Sequence, residues 1–180
     1  GTEYVTIPVG ANGVTELATY LSGRSGIEAI HILSHGDASG FYLGTATVDA
    51  STIGAVHQLD LGMIGAALSA DADILVYGCN FGQNTAALNA LALATGADVA
   101  ASDDNTGHAA LGGDWNLEAV NQTPTPGVID ASAIDVSGWQ GLLVPQNTGT
   151  WTTGATSATN TTAGITTTVS FAPEGPNADF

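Results

Sequence analysis

Residues 72–80, Ala-Asp-Ile-Leu-Val-Tyr-Gly-Cys-Asn, run four apolar side chains, Ile74 to Tyr77, into Gly78 and the chain's single cysteine, Cys79. Forty-four residues before that cysteine, the stretch Ala29-Ile-His-Ile-Leu-Ser-His-Gly36 carries Ile30 to Leu33 into Ser34, His35 and Gly36. Short apolar runs bounded by turn residues read as buried strands. Two that each end in a chemically reactive side chain read as neighbours whose carboxyl ends meet at one edge of a sheet. That edge is where open α/β folds build their sites.

Cysteine-peptidase chemistry needs a thiol that ionises, an imidazole that takes its proton, and backbone N–H groups facing the developing oxyanion. Cys79 and His35 supply the nucleophile and the base. Gly36 and Gly78 let the chain turn sharply, so the amides of Gly36 and Cys79 are the expected oxyanion donors. A buried free cysteine also serves as a small hydrophobe, which is the alternative reading of Cys79. No second cysteine is present to form a disulfide or a cysteine-rich metal site. Thiol chemistry of this kind requires no cofactor.

Outward from these two runs, the pattern predicts alternating strands and helices. Residues 3–9 alternate as a strand, and Val14, Leu17, Ala18 and Leu21 recur at helical spacing behind Asn12 as cap, with Gly23 as the stop. With Ile30–Leu33 this makes a β-α-β unit, which is right-handed as a rule. Residues 40–49 have hairpin composition around Gly44-Thr45. Helices are expected near Ser51–His57, with Ile53 and Val56 inward, and near Leu61–Leu68. A strand over Ile74–Tyr77 precedes a helix over Gln83–Thr95 that stops at Gly96. Starting just past Cys79, that helix would favour the thiolate by up to ~2 kcal/mol.

Residues 97–102 read as a fourth strand, which brings the loop Ser102–Asn105 to the same edge. Asp103 and Asp104 are then expected to line a pocket for a substrate side chain or to offer oxygens to calcium, against the alternative of a solvated turn. Segments 112–118 and 138–143 read as further strands, with Trp115 and Trp139 as packing anchors. His31 is expected to be a structural histidine. His57 and His108 lack metal-ligand spacing, so no other metal site is expected.

One basic residue, Arg24, stands against 17 acidic ones, for a formal net charge of -16 in 180 residues. Such a surface repels phosphate and excludes nucleic acid and anionic membrane as partners. Only 10% of residues are charged, while small and hydroxyl residues are plentiful, a usage typical of extracellular bacterial surface proteins. No apolar run approaches the ~18 residues of a membrane span, and no signal peptide is expected within the chain. Composition divides the chain into a domain over 1–144 and a Thr-rich linker and strand over 145–180, with 11 threonines in residues 148–170. A strand over 165–171, with Ile165, Val169 and Phe171 on one face, is expected to open another β-domain or to pair with the sheet edge of another molecule in self-assembly.

The histidine and cysteine blocks resemble those of the caspase-like peptidases, the group of caspases, gingipains, legumain and clostripain. In that group one apolar strand ends in His-Gly and a later one in a small residue followed by the nucleophile. More closely, residues 21–44, 72–80, 95–107, 111–118 and 138–143 are similar to a bacterial domain of unknown function found in very large secreted adhesin-like proteins, over about residues 4–143. The resemblance implies a caspase-like α/β fold, a mostly parallel sheet flanked by helices, and usually one more strand and helix ahead of residue 4. It implies a cysteine endopeptidase acting on a polypeptide, its own chain included. In the metacaspase branch an Asp two residues before the nucleophile selects a basic substrate residue. Tyr77 stands there, as a pocket residue of different chemistry, so specificity for Arg or Lys does not carry over. The competing expectation is an idle structural module of an adhesin or extracellular fibre on the same fold.

Overall fold

The computed structural model describes residues 2–8, 10–129, 131 and 134–143, with the backbone of 166–170. Its centre is the parallel pair β2 (Ile27–Ile32) and β5 (Leu68–Val76), preceded by β1 (Glu3–Thr6), with the hairpin β3 (Gly40–Leu43) and β4 (Ala46–Asp49) in the connection between them. β6 (Asp98–Ala101) adds parallel to β5, β7 (Ala119–Val120) adds antiparallel to β6, and β8 (Thr166–Ser170) lies between β1 and β2, parallel to both. The six-stranded order is β1-β8-β2-β5-β6-β7, mixed α/β and mostly parallel.

Alternation along β2 and β5 sends side chains to two different layers. Ile30, Ile32, Ile74 and Val76 join the larger cluster, into which α1 (Gly13–Leu21), α3 (Gln58–Ala67) and α4 (Thr85–Thr95) press Leu17, Ile64 and Leu91 among others. Ala29, Leu33, Leu75, Tyr77 and Cys79 face the second cluster, covered by irregular chain that brings in Trp115, Ile134, Trp139 and Leu143. Both faces are therefore buried, which is why the central strands read as nearly unbroken apolar runs.

Local signals account for the helix ends. Asn12 Oδ1 accepts from the N–H groups of Val14 and Thr15, and Gly96 closes α4 at φ +75° in the left-handed region that a side chain disfavours. The expected helix over Ser51–His57 is only α2, Ala50–Ile53, and Val56 is 73% exposed rather than inward. Asp49 caps that turn reciprocally with Thr52, and the chain then leaves the helix at Gly54. The next helix begins at Gln58 rather than Leu61, and β5 begins at Leu68, six residues before the expected strand.

Three strand expectations differ from what forms. Residues 112–118 make only the isolated bridge Thr106–Asp114, and 138–143 only the bridge Gly107–Leu142. Their tryptophans pack edge-on, ring centroids 5.9 Å apart, over the second face as loop residues. β8, expected to start another domain or join another molecule, pairs inside this sheet: Glu3–Thr6 with Thr167–Ser170 on one side, and Ala29–Ile32 with Thr166–Val169 on the other. Ile165 and Phe171, with the stretches 144–165 and 171–180, lie outside the described residues.

The α3–α4 crossing depends on Gly65. A Cβ there would lie 2.2 Å from the carbonyl oxygen of Thr95, whereas at Gly62 on the same helix it would meet nothing within 4 Å. Gly65→Ala is expected to cost about 1–3 kcal/mol in urea unfolding, and Gly62→Ala to stabilise by about 1 kcal/mol. Equal effects at the two positions would contradict this packing.

Candidate active site

The register of the central pair is constant from Ala29–Asp73 through Ile30–Ile74 and His31–Leu75 to Ile32–Val76. The same offset separates His35 from Cys79. Tyr77 N–H donates to the Ile32 carbonyl at 2.8 Å, so the ladder persists past the end of β5. From Ala29 and Asp73 onward, past the register shift after Ile27, odd apolar positions on both strands face the second layer, and His35 and Cys79 continue that parity. The two turns then touch. A Cβ on Gly36 would lie 2.8 Å from both Cα and the carbonyl carbon of Gly78 and 3.2 Å from the Cys79 nitrogen. A side chain at Gly36 would wedge the turns apart, while a Cβ at Gly78 would press on Phe41 Cβ at 3.2 Å and on Gly36 Cα at 3.3 Å.

Asp37 fixes the turn that follows Gly36. Its carboxylate accepts from the Ser39 and Gly40 amides and, at 2.7 Å, from the Tyr42 hydroxyl. Burial raises its pKa, but these donors outweigh burial and hold it below the usual carboxylate value, while Tyr42 is pushed up to about 12. Tyr42 N–H also donates to the His35 carbonyl at 2.9 Å, tying hairpin β3–β4 to the histidine.

Around Cys79 the chain closes. The thiol is 0% exposed. The Thr106 amide donates to Sγ at 3.2 Å, and Sγ lies 3.7 Å from the Thr106 carbonyl, to which it donates. Burial pushes the thiol pKa up, with the backbones of Thr106, Leu143 and Cys79 itself acting in the opposite direction. The expected lowering by a helix amino terminus is not the dominant effect: α4 starts at Thr85, after a short 3-10 turn at Phe81–Gln83, and the Asn84 side chain already accepts its Ala87 amide. The Gly36 amide, one expected oxyanion donor, donates to the Leu143 carbonyl at 3.4 Å.

The remaining expected site residues are spread around this edge. The Asp104 carbonyl accepts from the Asn80 amide at 2.8 Å, which confirms that the loop after β6 meets the cysteine turn. Asp103 and Asp104 themselves are exposed. Asp104, Asp114 and Glu118 bring one carboxylate oxygen each to within 4.8 Å of one another, and Asp103 is outside this trio. Local turns use these groups: Asp114 accepts from the Asn116 amide and Glu118 from the Asp103 amide. Tyr77 is buried under Trp115 and stacked on His31, so it lies within the packed layer and not on an open wall. His57 bonds the Thr47 carbonyl at 3.0 Å, and His108 caps the 3-10 turn Ala109–Leu111.

Sequence reasoning missed Thr106 and Leu143. Thr106 follows the Asp103–Asp104 loop that the parallel polarity of β6 sends to this edge, so topology carried a signal for it. Leu143 reaches the site from the end of a loop with no periodic pattern.

The register and the paired glycine turns define an α/β domain with a cysteine and a histidine on one sheet edge. The chain belongs to the family described as a domain of unknown function (DUF4347), which it matches over residues 1–143. Neither a curated protein nor a solved structure matches it.

His31 sits beneath the site, buried, with Nδ1 3.3 Å from the Tyr77 hydroxyl and its pKa lowered by burial from 6.5 to about 4. A depressed folded-state value means that the unfolded chain binds the proton first, so the stability present above pH 6.5 is lost as pH falls toward 4. Urea unfolding should show a loss of about 2 kcal/mol between about pH 7 and pH 5 from this group. In His31→Phe that part of the decline should vanish; an unchanged decline would contradict the assignment.

Proposed function

We propose that this domain is a caspase-like cysteine peptidase domain of a secreted bacterial surface protein, acting on its own polypeptide. His35 is the general base and Cys79 the nucleophile, and the amides of Gly36 and Cys79 receive the oxyanion. The observation that carries this reading is the common offset: the pairing of β2 with β5 is in step with the spacing of His35 and Cys79, and Gly36 rests against the Gly78–Cys79 peptide. A structural cysteine would need neither a histidine at the matching position nor a glycine in both turns. The acidic, lysine-free composition supports an extracellular setting.

The full burial of Sγ favours a second reading, in which the domain is an idle module of an adhesin or fibre. Chemistry separates the two. A small electrophile such as iodoacetamide, which needs no empty peptide groove, should label Cys79 in the folded chain, and His35→Ala should slow labelling by about 10²-fold or more, as loss of a general base does. Labelling that is equal in both proteins, or absent until the chain is unfolded, would remove the peptidase reading in favour of the module.

A further inference from the structure

Residues 141–143 lie along the loop after β6 as an added strand would. The His108 amide donates to the Gly141 carbonyl at 2.8 Å, Leu142 bridges Gly107 in antiparallel sense, and the Leu143 amide donates to the Thr106 carbonyl at 2.9 Å. An extended peptide held by alternating main-chain bonds, with its side chains in pockets, is how strand-adding grooves hold peptides. The last of these residues is the informative one. Leu143 is 3% exposed, packed in the same cluster as Leu33, Tyr77 and Cys79. Its carbonyl oxygen receives the Gly36 amide, the group assigned above to the oxyanion.

We infer that residues 141–143 occupy the substrate groove of their own domain, and that the bond between Leu143 and Val144 is the one it cleaves. This rests on the peptidase reading and names its substrate. It also accounts for the closed thiol: the chain that covers Cys79 is the substrate, so no opening to bulk solvent is needed for the first step. Cys79 Sγ, its proton passed to His35, attacks the Leu143 carbonyl carbon, and the negative oxygen is held by the Gly36 and Cys79 amides. The C–N bond to Val144 breaks as His35 returns the proton to that nitrogen. Water, deprotonated by His35, then hydrolyses the Leu143 thioester and regenerates the thiol. The products are a carboxylate at Leu143 and an amino group at Val144.

Cutting there would leave residues 144–180 covalently free while β8 stays seated between β1 and β2. The two pieces should therefore migrate together under native conditions and separate on denaturation. The test is denaturing intact-mass analysis of the purified 180-residue chain during incubation, beside Cys79→Ala, His35→Ala and Leu143→Glu. The expected result is fragments 1–143 and 144–180 from the parent, and whole chain from the first two variants. Leu143→Glu, which puts a charge into an apolar pocket, should also stay whole. Because it can lose its fold, its circular dichroism is compared with the parent's, and Leu143→Met is included as a variant that keeps volume and should still be cut. A parent that stays whole, or is cut at another bond, or is cut equally in Cys79→Ala, overturns the inference. His35-dependent labelling of Cys79 in a chain that is never cut would overturn this inference alone, leaving the peptidase reading. Absence of both would overturn the two together.

Discussion

The contact of Gly36 with the Gly78–Cys79 peptide is the constraint on which the rest of the structure depends. Two parallel strands leave the sheet side by side, and each must turn at once because further helices and loops follow. With side chains at both turns the chains would diverge. With glycine at both, main chain meets main chain at van der Waals distance, and the residues on either side, His35 and Cys79, inherit the register of the strands below. Proximity is thus a property of backbone pairing, not of flexible side chains, and such rigid placement is what catalytic geometry requires.

Burial works against that chemistry while helping the fold. The thiol is closed in among Leu33, Tyr77, Ile134 and Leu143, and desolvation disfavours its anion. The amide of Thr106 donates to the sulfur and offsets part of this cost. A nucleophile so enclosed is poorly suited to meet polypeptides arriving from solution. It is suited to a chain already held beside it, and Leu143, packed in the same cluster, has its carbonyl on the Gly36 amide. Family membership and fold alone assign no activity; the functional argument lives in these few backbone contacts.

Much of the architecture was legible because burial on both faces writes itself into β2 and β5 as continuous apolar runs, and because Asn12 and Gly96 mark helix ends by hydrogen bonding and backbone conformation. The hairpin over 40–49 was equally plain. What misled was composition without pairing. Residues 112–118 and 138–143 have strand-like residues, yet their apolar side chains cover the second face as loops, which a pattern of residue types does not distinguish. The amino-terminal part of β5, Leu68 to Asp71, mixes Leu and Ala with Ser and Asp and shows no apolar run, though the ladder with β2 extends to Ile27. The alternation of residues 165–171 marks β8 as a strand but not its place: an interior position in a parallel sheet is ordinarily apolar, and three threonines argue for an edge. Of the site, His35, Gly36 and Cys79 could be read directly. Thr106 and Leu143 come from distant segments whose approach only the folded chain defines.

The most direct measurement is the nuclear Overhauser effect between the α-protons of Gly36 and Gly78 in the folded chain. The account predicts a strong cross-peak, since a Cβ on Gly36 would stand 2.8 Å from the Gly78 α-carbon and one on Gly78 3.3 Å from the Gly36 α-carbon, with the Leu143 amide close to Thr106 in the same spectrum. Absence of the Gly36–Gly78 cross-peak in an otherwise assigned, folded protein would show that the two turns stand apart, and the cysteine and histidine would then belong to no common site.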